Sequence, residues 1–426
     1  MSVKELELFR SIESVLGSDN VRQSTALRVQ GIAPSVLALP GCAREVAECL
    51  RISSKLRATV IPAGSMSWLD CGNQVRSADV VLSLERMTRV VDYSAPDLTV
   101  TVQAGLLLRE LNGLTTRERQ WLPLDPPGSS TASAGAVAAC NSSGPLRLGF
   151  GTPRDYVLGL KLAHADGAES RCGGRVVKNV AGYDMNKLYV GSYGTLAVIT
   201  ELTFKLRPLP DGNATLVLTA KDPASLSDFA GRVIASDLQP ASVFLTKGLV
   251  ADLNASSAET ERLIIRFIDN DAAVRHQVNW IKHEIGDDFD VIVLIDYDSE
   301  SWWQRVADID QRATNAVRIS VPIAGVASTL RKVAIAGCAA AVDFGTGIVR
   351  VAFNEDENRT IETIQRLRSE AAESGGTLFV ERASSGVKQR VDAWGTAHVA
   401  DNLMRSVKAK FDPESVLNPG RFVAGI

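Results

Sequence analysis

The sequence predicts an α+β protein built as two domains, and three observations carry that reading. The chain has 426 residues, more than one hydrophobic core usually serves. Its element pattern changes at "RPLPDGN", a cluster of breakers beginning at Arg207 that suits a domain boundary. Three stretches of the first half carry almost no large side chains, whereas the second half alternates strands and helices.

Taken in order, "MSVKELELFRSIESVLG" mixes charges into a helical pattern and lacks the apolar centre of a signal peptide. From Pro40 on, Val46, Ala47 and Leu50 recur at helical spacing; the β-branched run Thr59 to Ile61 then predicts a strand ending in a small-residue loop. "DVVLSLERMTRVVDY" and "LTVTVQAG" follow as strands, and "LKLAHADGAE" predicts a hairpin about Asp166-Gly167. The strand "AVITELTFKL" is stopped by Pro208 and Pro210.

Beyond that point come strand "ATLVLTA", helix "PASLSDFAGRVIAS", strands "ASVFLTK" and "RLIIRFI", a helix through Trp280 and strand "FDVIVLI". That order is the split βαβ, ferredoxin-like sandwich. Strands "AVRISVPIA", "GIVRVAFN" and "TLFVERA" and helix "NRTIETIQRLRSEAAES" extend it to about residue 395, with no internal repeat in the sequence. The tail "VADNLMRSVKAKFDPESVLNPGRF" is an amphipathic helix followed by Asp-Pro and Asn-Pro turns, expected to pack back onto the first domain. The expected division is therefore 1–210, 211–397 and a tail 398–426.

Composition narrows the function classes. Hydrophobic residues make up 45% and charged residues 22%, the balance of a soluble globular protein. A formal net charge of -3 gives no general pull toward phosphate backbones or anionic lipid, so no nucleic-acid partner is expected. No stretch approaches the roughly 20 apolar residues of a spanning helix, and no membrane-spanning segment is expected. The six cysteines, Cys42, Cys49, Cys71, Cys140, Cys172 and Cys338, show no C-x-x-C pair, which suits reduced thiols in a cytoplasmic chain. The N-x-S/T matches at Asn141, Asn213, Asn254 and Asn358 matter only in a secreted protein.

The three small-residue stretches carry the chemistry. In "VIPAGSMSWLDCGN" a strand runs into Ala63, Gly64, Ser65, Ser67 and Gly72, where backbone N–H groups have room to close around a diphosphate. An ordinary tight turn has the same composition, and on this loop alone the turn is the simpler reading. "PPGSSTASAGAVAACNSSG", Pro126 to Gly144, suits a chain lying flat against a large planar ligand or its phosphates, or a flexible loop; the apolar run Ala136 to Cys140 argues that part of it is packed. In the third, Gly191 and Gly194 precede "TLAVITELTF", so a glycine turn feeds a strand whose main chain is able to read a nucleobase; a plain hairpin has the same pattern.

Other cofactor motifs are absent. "GFGTPR" at Gly149 lacks the third glycine and following helix of a dinucleotide fingerprint, and no G-x-x-x-x-G-K-[ST] occurs. The four histidines, His164, His276, His283 and His398, form no metal-binding pair, and no metal is expected.

Taken together and in order, these stretches resemble the FAD-binding (PCMH-type) domain of the vanillyl-alcohol-oxidase-type flavoproteins, within which the chain is most similar to the smaller flavin-binding subunits of bacterial glycolate oxidases. The likeness runs from about Pro40 to Pro210 and rests on "GGRVVKNVAGYDMNKLYVGSYGTLAVITE" and "SSGPLRLGFGTPRDYVLG", with "FDPESVLNPGRF" similar to the family's C-terminus. The resemblance implies a two-subdomain FAD-binding domain followed by a ferredoxin-like α+β cap. It also implies that Gly64, Ser65, Met66, Ser67 and Trp68 line the pyrophosphate loop, that Pro127, Gly135, Asn141 and Gly144 lie along the flavin, and that Gly194, Ala197 and Ile199 lie near the adenine. Gly182, Tyr183 and Asp184 are expected to shape the pocket.

The departures matter equally. "PAGSMSW" has no histidine to bond the flavin, so dissociable FAD is expected, and Ala134-Gly135 stands where many relatives have two glycines. The histidine-rich metal motif H-G-D-G-N-x-H of catalytic relatives is missing, and no catalytic residue is assigned; Arg147 and Arg154 flank the flavin-lining stretch and either hold a carboxylate or are simply solvated. The implied function is an FAD-dependent oxidoreductase subunit in oxidation of a 2-hydroxy acid, glycolate to glyoxylate first, beside a larger FAD-binding subunit and an iron–sulfur subunit. It would be cytoplasmic, or peripheral to the inner membrane through a partner. The alternatives are a structural or assembly subunit that keeps the fold, and a self-sufficient dehydrogenase of another hydroxy acid or alcohol.

Overall fold

The computed structural model describes residues 2–23, 26–174, 183–248, 261–333, 335, 337–395 and 400–426. The N-terminal helix Val3–Leu16 buries Leu8, Ile12 and Leu16, one stripe at four-residue spacing, and starts at a Ser2–Glu5 capping box. Helix Ala43–Lys55 buries Val46, Cys49 and Leu50 in the same way. The first packs against the second and against a sheet made of β1 (Val21–Arg22), β2 (Val36–Ala38), β3 (Val60–Ala63) and β4 (Val80–Ser83), ordered β1-β2-β4-β3. Strands β2, β4 and β3 run parallel, so the loop leaving β3 at Ala63 opens at their shared C-terminal edge.

A second, antiparallel sheet takes up β5 (Val90–Ser94), β6 (Thr99–Gln103), β8 (Val157–Ala163), β9 (Glu169–Gly173) and β10 (Val198–Lys205), while β7 (Gln120–Trp121) pairs only with β11 (Arg207–Pro208). Its order is β5-β6-β10-β8-β9. The segment "DVVLSLERMTRVVDY" therefore supplies two strands, β4 and β5, that belong to different sheets. The hairpin at Asp166-Gly167 joins β8 to β9, with Gly167 at φ +81. Strand β10 is central and buried on both faces, so its alternating pattern divides two packed surfaces rather than core from solvent.

The second half forms one antiparallel sheet of eight strands: β12 (Gly212–Ala220), β13 (Ser242–Lys247), β14 (Arg262–Asp269), β15 (Phe289–Ile295), β16 (Asn315–Ser320), β17 (Ala339–Asp343), β18 (Ile348–Phe353) and β19 (Thr377–Arg382). Their order, β15-β12-β14-β13-β17-β18-β16-β19, resolves into two split βαβ units of the same 4-1-3-2 topology, joined edge to edge through β13 and β17. The ferredoxin-like unit is thus present twice. The sequence shows no repeat because the two copies share topology and not residues, and strand β17 with helix Val326–Lys332 escaped the sequence reading.

Four helices, Pro223–Ala235, Asp271–Glu284, Val326–Lys332 and Glu357–Glu373, bury their apolar stripes on one face of this sheet. Helix Asp296–Ala307 covers part of the other face through Trp302 and Trp303. The uncovered remainder of that face meets the first half of the molecule. Because side chains alternate, β16 buries Val317 and Ile319 against the helices and turns Arg318 toward the first half, where Arg350 of β18 is its cross-strand partner.

The tail packs back onto the first half. Val416 and Leu417 join its core, Val60 N–H donates to Val416 O at 2.7 Å, and Asn418 N–H donates to Val60 O at 3.0 Å. The expected boundary between 397 and 398 falls in residues 396–399, outside the described residues, as do Gly182, Asn254 and His398.

Candidate functional site: a cavity at the end of the parallel strands

The loop after β3 is held open by close backbone approaches. Ser65 Oγ donates to Thr131 O at 2.5 Å, and a β-carbon placed on Gly64 would lie 1.9 Å from Ser133 Oγ. Only glycine fits there. Ser133 in turn caps the helix Ala134–Cys140, whose Gly135 rests on Ala104 so tightly that a β-carbon would come within 2.7 Å of the Ala104 methyl. The flat stretch expected at Pro126 to Gly144 is therefore a loop leading into a packed seven-residue helix. Ala134 is buried among apolar neighbours.

These elements line an open cavity bordered by Pro62 through Leu69, Ser133, Gly135, Ala136 and, across from them, Tyr193, Gly194, Ala197, Val198 and Ile199. Nine of the twelve residues singled out from sequence line it: Gly64, Ser65, Met66, Ser67, Trp68, Gly135, Gly194, Ala197 and Ile199. Pro127 lines an adjoining cavity instead. Asn141 ends the helix in the left-handed conformation, φ 46, and its Oδ1 accepts from Arg154 N–H at 3.2 Å. Gly144 packs on the backbone of Asp125, where a β-carbon would meet Asp125 O at 1.8 Å. Neither lines the main cavity.

The stretch around Gly144 docks the second half. Gly149 N–H donates to Ala241 O at 3.1 Å, Ser242 Oγ donates to Pro145 O at 2.7 Å, and Arg350 Nη2 donates to Ser143 O at 2.9 Å. Arg147 sits half-buried near Asp343 and Arg154 is exposed, so neither reaches the cavity. Tyr183 is 96% exposed, and Asp184 pairs with Lys187 at 3.4 Å.

Whether FAD fits follows from the groups present. The backbone N–H groups of Gly64 to Trp68 donate to no other described residue, which leaves a row of donors for the oxygens of a diphosphate. Met66 holds φ +62 within that row. The remaining walls are small or apolar, as a planar ring system needs. The donor row and the bare walls suit this cofactor.

The far end of the cavity carries chemistry that sequence reasoning missed. Cys71, Cys140 and Tyr193 line both the main cavity and the adjoining one. The Cys140 thiol bonded to Cys71, with the cations of Lys388 and Arg421 nearby, holds the Cys71 thiol down, while the same contact and burial push Cys140 up. Arg421 donates to Leu69 O at 2.8 Å and Cys71 O at 2.5 Å, and its Nη2 is buried without a partner. Burial pushes the Tyr193 hydroxyl well above its ordinary range, and its ring stacks on Phe422 at 5.4 Å. Opposite them, the adjoining cavity is walled by Asp310, Arg318, Phe379, Glu381 and Arg382. Cys71, Cys140 and Tyr193 lie within the three small-residue stretches and Arg421 within "NPGRF", but no role for any of them follows from the sequence; the opposite wall comes together from distant elements. Among the described residues no group of three or more His, Cys, Asp or Glu is placed to hold a metal ion, and no helix is long and apolar enough to cross a membrane.

Comparison with known proteins agrees with this geometry. Residues 34–173 match the family model described as an FAD binding domain. Over 422 residues, 92% of this chain and 89% of the relative, the chain is 26% identical to glycolate oxidase subunit GlcD of Bacillus subtilis. It is 26% identical to a probable mitochondrial D-lactate dehydrogenase of Danio rerio over 96% of this chain and 90% of that protein. Glycolate oxidase subunit GlcE of Escherichia coli is 36% identical over 152 residues, 35% of this chain and 42% of that subunit. Among solved structures, p-cresol methylhydroxylase with substrate bound superposes with a TM-score of 0.75 at 15% identity, over 99% of this chain and 97% of that one. This likeness shows the fold. Residues 34–173 carry an FAD-binding domain of the PCMH type and FAD is the cofactor, and over nearly its whole length the chain is similar to FAD-dependent oxidoreductases.

Proposed function

We propose that the chain oxidises a small 2-hydroxy acid, with glycolate the first candidate. The observation that carries this reading is that the two cavities adjoin: Ser67, Trp68, Cys71, Cys140 and Tyr193 line both, and the far wall of the second offers Arg318 and Arg382 to an anion and Asp310 and Glu381 to a hydroxyl. Relatives named as glycolate oxidase subunits and D-lactate dehydrogenases support the substrate class.

Bound FAD would supply a two-electron acceptor, held without a covalent link by the donor row Gly64 to Trp68, with Gly135 on the ring side and Gly194, Ala197 and Ile199 on the adenine side. The protein's own part is to place the acid: cations on β16 and β19 neutralise its carboxylate, and the wall of Trp68 and Phe379 limits water. In this reading 1–210 holds FAD, 211–397 supplies the substrate wall and 398–426 locks the two together. A larger FAD-binding subunit and an iron–sulfur subunit would carry the electrons onward, at a cytoplasmic site or one peripheral to the inner membrane. A second reading, an assembly subunit with weak turnover, draws on the missing H-G-D-G-N-x-H motif.

The test is the visible spectrum of the FAD-loaded chain, recorded anaerobically before and after glycolate or D-lactate. Bleaching by either supports turnover by this chain. Bleaching only when a larger partner subunit is added supports the relay role, and no bleaching under any of these conditions overturns the hydroxy-acid reading.

A further inference from the structure

We propose that Asp310 is the proton acceptor for the substrate hydroxyl; this rests on the hydroxy-acid reading above. Asp310 lies in the 3₁₀ turn Ile309–Arg312 that follows helix Asp296–Ala307. The turn is pinned to the flavin side of the molecule. Gly128 N–H donates to Asp308 Oδ1 at 2.6 Å, Ser129 and Gln304 side chains meet at 3.2 Å, and the helix itself is anchored by Trp303 Nε1 donating to Thr215 Oγ1 at 2.7 Å. A short turn so held places Asp310 on the cavity wall across from Cys71, Cys140 and Tyr193.

Two carboxylates share this wall, and their surroundings separate their roles. Glu381 lies within ion-pair reach of Arg318 at 3.7 Å and of Arg350 at 3.9 Å, although its Oε2, like Asp310 Oδ1, is buried without a hydrogen-bond partner. Asp310 makes no ion pair with a described residue, and its Oδ1 is buried without a hydrogen-bond partner. A buried acceptor left open in this way faces a cavity that a ligand hydroxyl is able to fill. Burial pushes the Asp310 carboxyl up to about 6; Glu381 on β19 and Asp308 on its own turn add to that rise, while Arg350 on β18 and Arg382 on β19 oppose it. Arg318 on β16 lines the same cavity. A base so tuned is ionised at neutral pH and accepts a proton readily.

The step balances. The hydroxyl O–H bond would break toward Asp310, which would become the neutral acid; bound FAD would supply the acceptor for the hydrogen and electron pair of the carbinol C–H bond; and the C–O bond would become the carbonyl of a 2-oxo acid.

The test uses the FAD-loaded protein and Asp310→Asn, with two readouts. In anaerobic stopped flow with glycolate and with D-lactate, the wild-type bleaching rate rises as pH increases through about 6, and Asp310→Asn lowers it by roughly 100-fold or more. Asp310→Ala loses the same rate and recovers part of it with added formate. The second readout is binding of oxalate, a dicarboxylate that is not turned over, followed by calorimetry. In wild type its affinity falls as pH rises through about 6, since ionised Asp310 repels the anion; in Asp310→Asn that fall is absent. A variant within threefold of the wild-type rate, or an oxalate affinity with the same pH dependence in both proteins, overturns the proposal. If neither acid bleaches the wild type, alone or with a larger partner subunit, the substrate reading fails, and the oxalate profile still decides for or against Asp310.

Discussion

Gly64 and Ser133 approach each other so closely that a β-carbon on the glycine would lie 1.9 Å from the serine Oγ. That contact joins the donor row after β3 to the cap of the helix Ala134–Cys140, so the two walls of the FAD cavity are set against each other at one point. Gly64→Ala should therefore push the walls apart. FAD affinity is expected to fall at least tenfold with the fold retained, and Ser133→Gly in the same chain should restore most of it. A fluorescence titration of the apoprotein with FAD measures both; an unchanged affinity in Gly64→Ala would show that the contact does not shape the cavity.

Cys71 should be the most reactive thiol of the chain. The Cys140 contact and the cations of Lys388 and Arg421 favour its thiolate, whereas burial pushes Cys49 up to about 12 and Cys172 up to about 11. Alkylation of the apoprotein at pH 8 followed by mass spectrometry should label Cys71 first. Bound FAD should slow that labelling by an order of magnitude or more, because Cys71 lines the cavity. Labelling at Cys71 that is indifferent to FAD would place the cofactor elsewhere.

Lys408 and Asp412 form a buried pair at 2.5 Å, 7% and 0% exposed. The lysine also donates to Thr195 O at 2.8 Å and Leu417 O at 2.9 Å, so one cation ties the tail to the segment entering β10. Asp412 accepts from Val416 and Leu417 N–H, which fixes the turn that brings Asn418 and Arg421 to the cavity. Lys408→Met leaves the carboxylate buried and unpaired, and should cost about 3–5 kcal/mol. Urea unfolding measures it; a loss below about 1 kcal/mol would mean that the tail is held by its apolar contacts alone.

What was legible in the sequence follows from what a small residue can say. A glycine announces that something comes close, not what it is. Gly64 meets Ser133 at the cavity, but Gly144 meets Asp125, and Gly149 meets Ala241 of the second half, so one glycine-rich pattern serves both a ligand wall and a docking seam. Helices and most strands were readable from periodicity, because each buries one stripe. The duplication of the split βαβ unit was not, since topology repeats without residues repeating. The charged wall was equally hidden: Arg318, Arg350 and Glu381 sit on three different strands, and only strand pairing brings them together.

Asp125 should give the protein a stability that declines toward neutral pH. Its enclosed carboxyl accepts from Leu146 N–H at 3.0 and 3.2 Å, and burial pushes it up to about 7 despite Arg266 and that hydrogen bond. In the unfolded chain the group titrates near 3.8. Between these values the folded state holds a proton that the unfolded state has released, so stability from this group is present below about 4 and is lost as pH rises through about 7. Asp343 and Asp310, both pushed up to about 6 by burial, act with the same sign. Asp125→Asn keeps an acceptor for Leu146 and removes the charge. The variant should match the wild type near pH 4 and exceed it by about 2–4 kcal/mol at pH 8. Urea unfolding at both pH values checks this; curves that stay parallel across the range would mean that Asp125 is solvated enough to ionise freely in the folded protein.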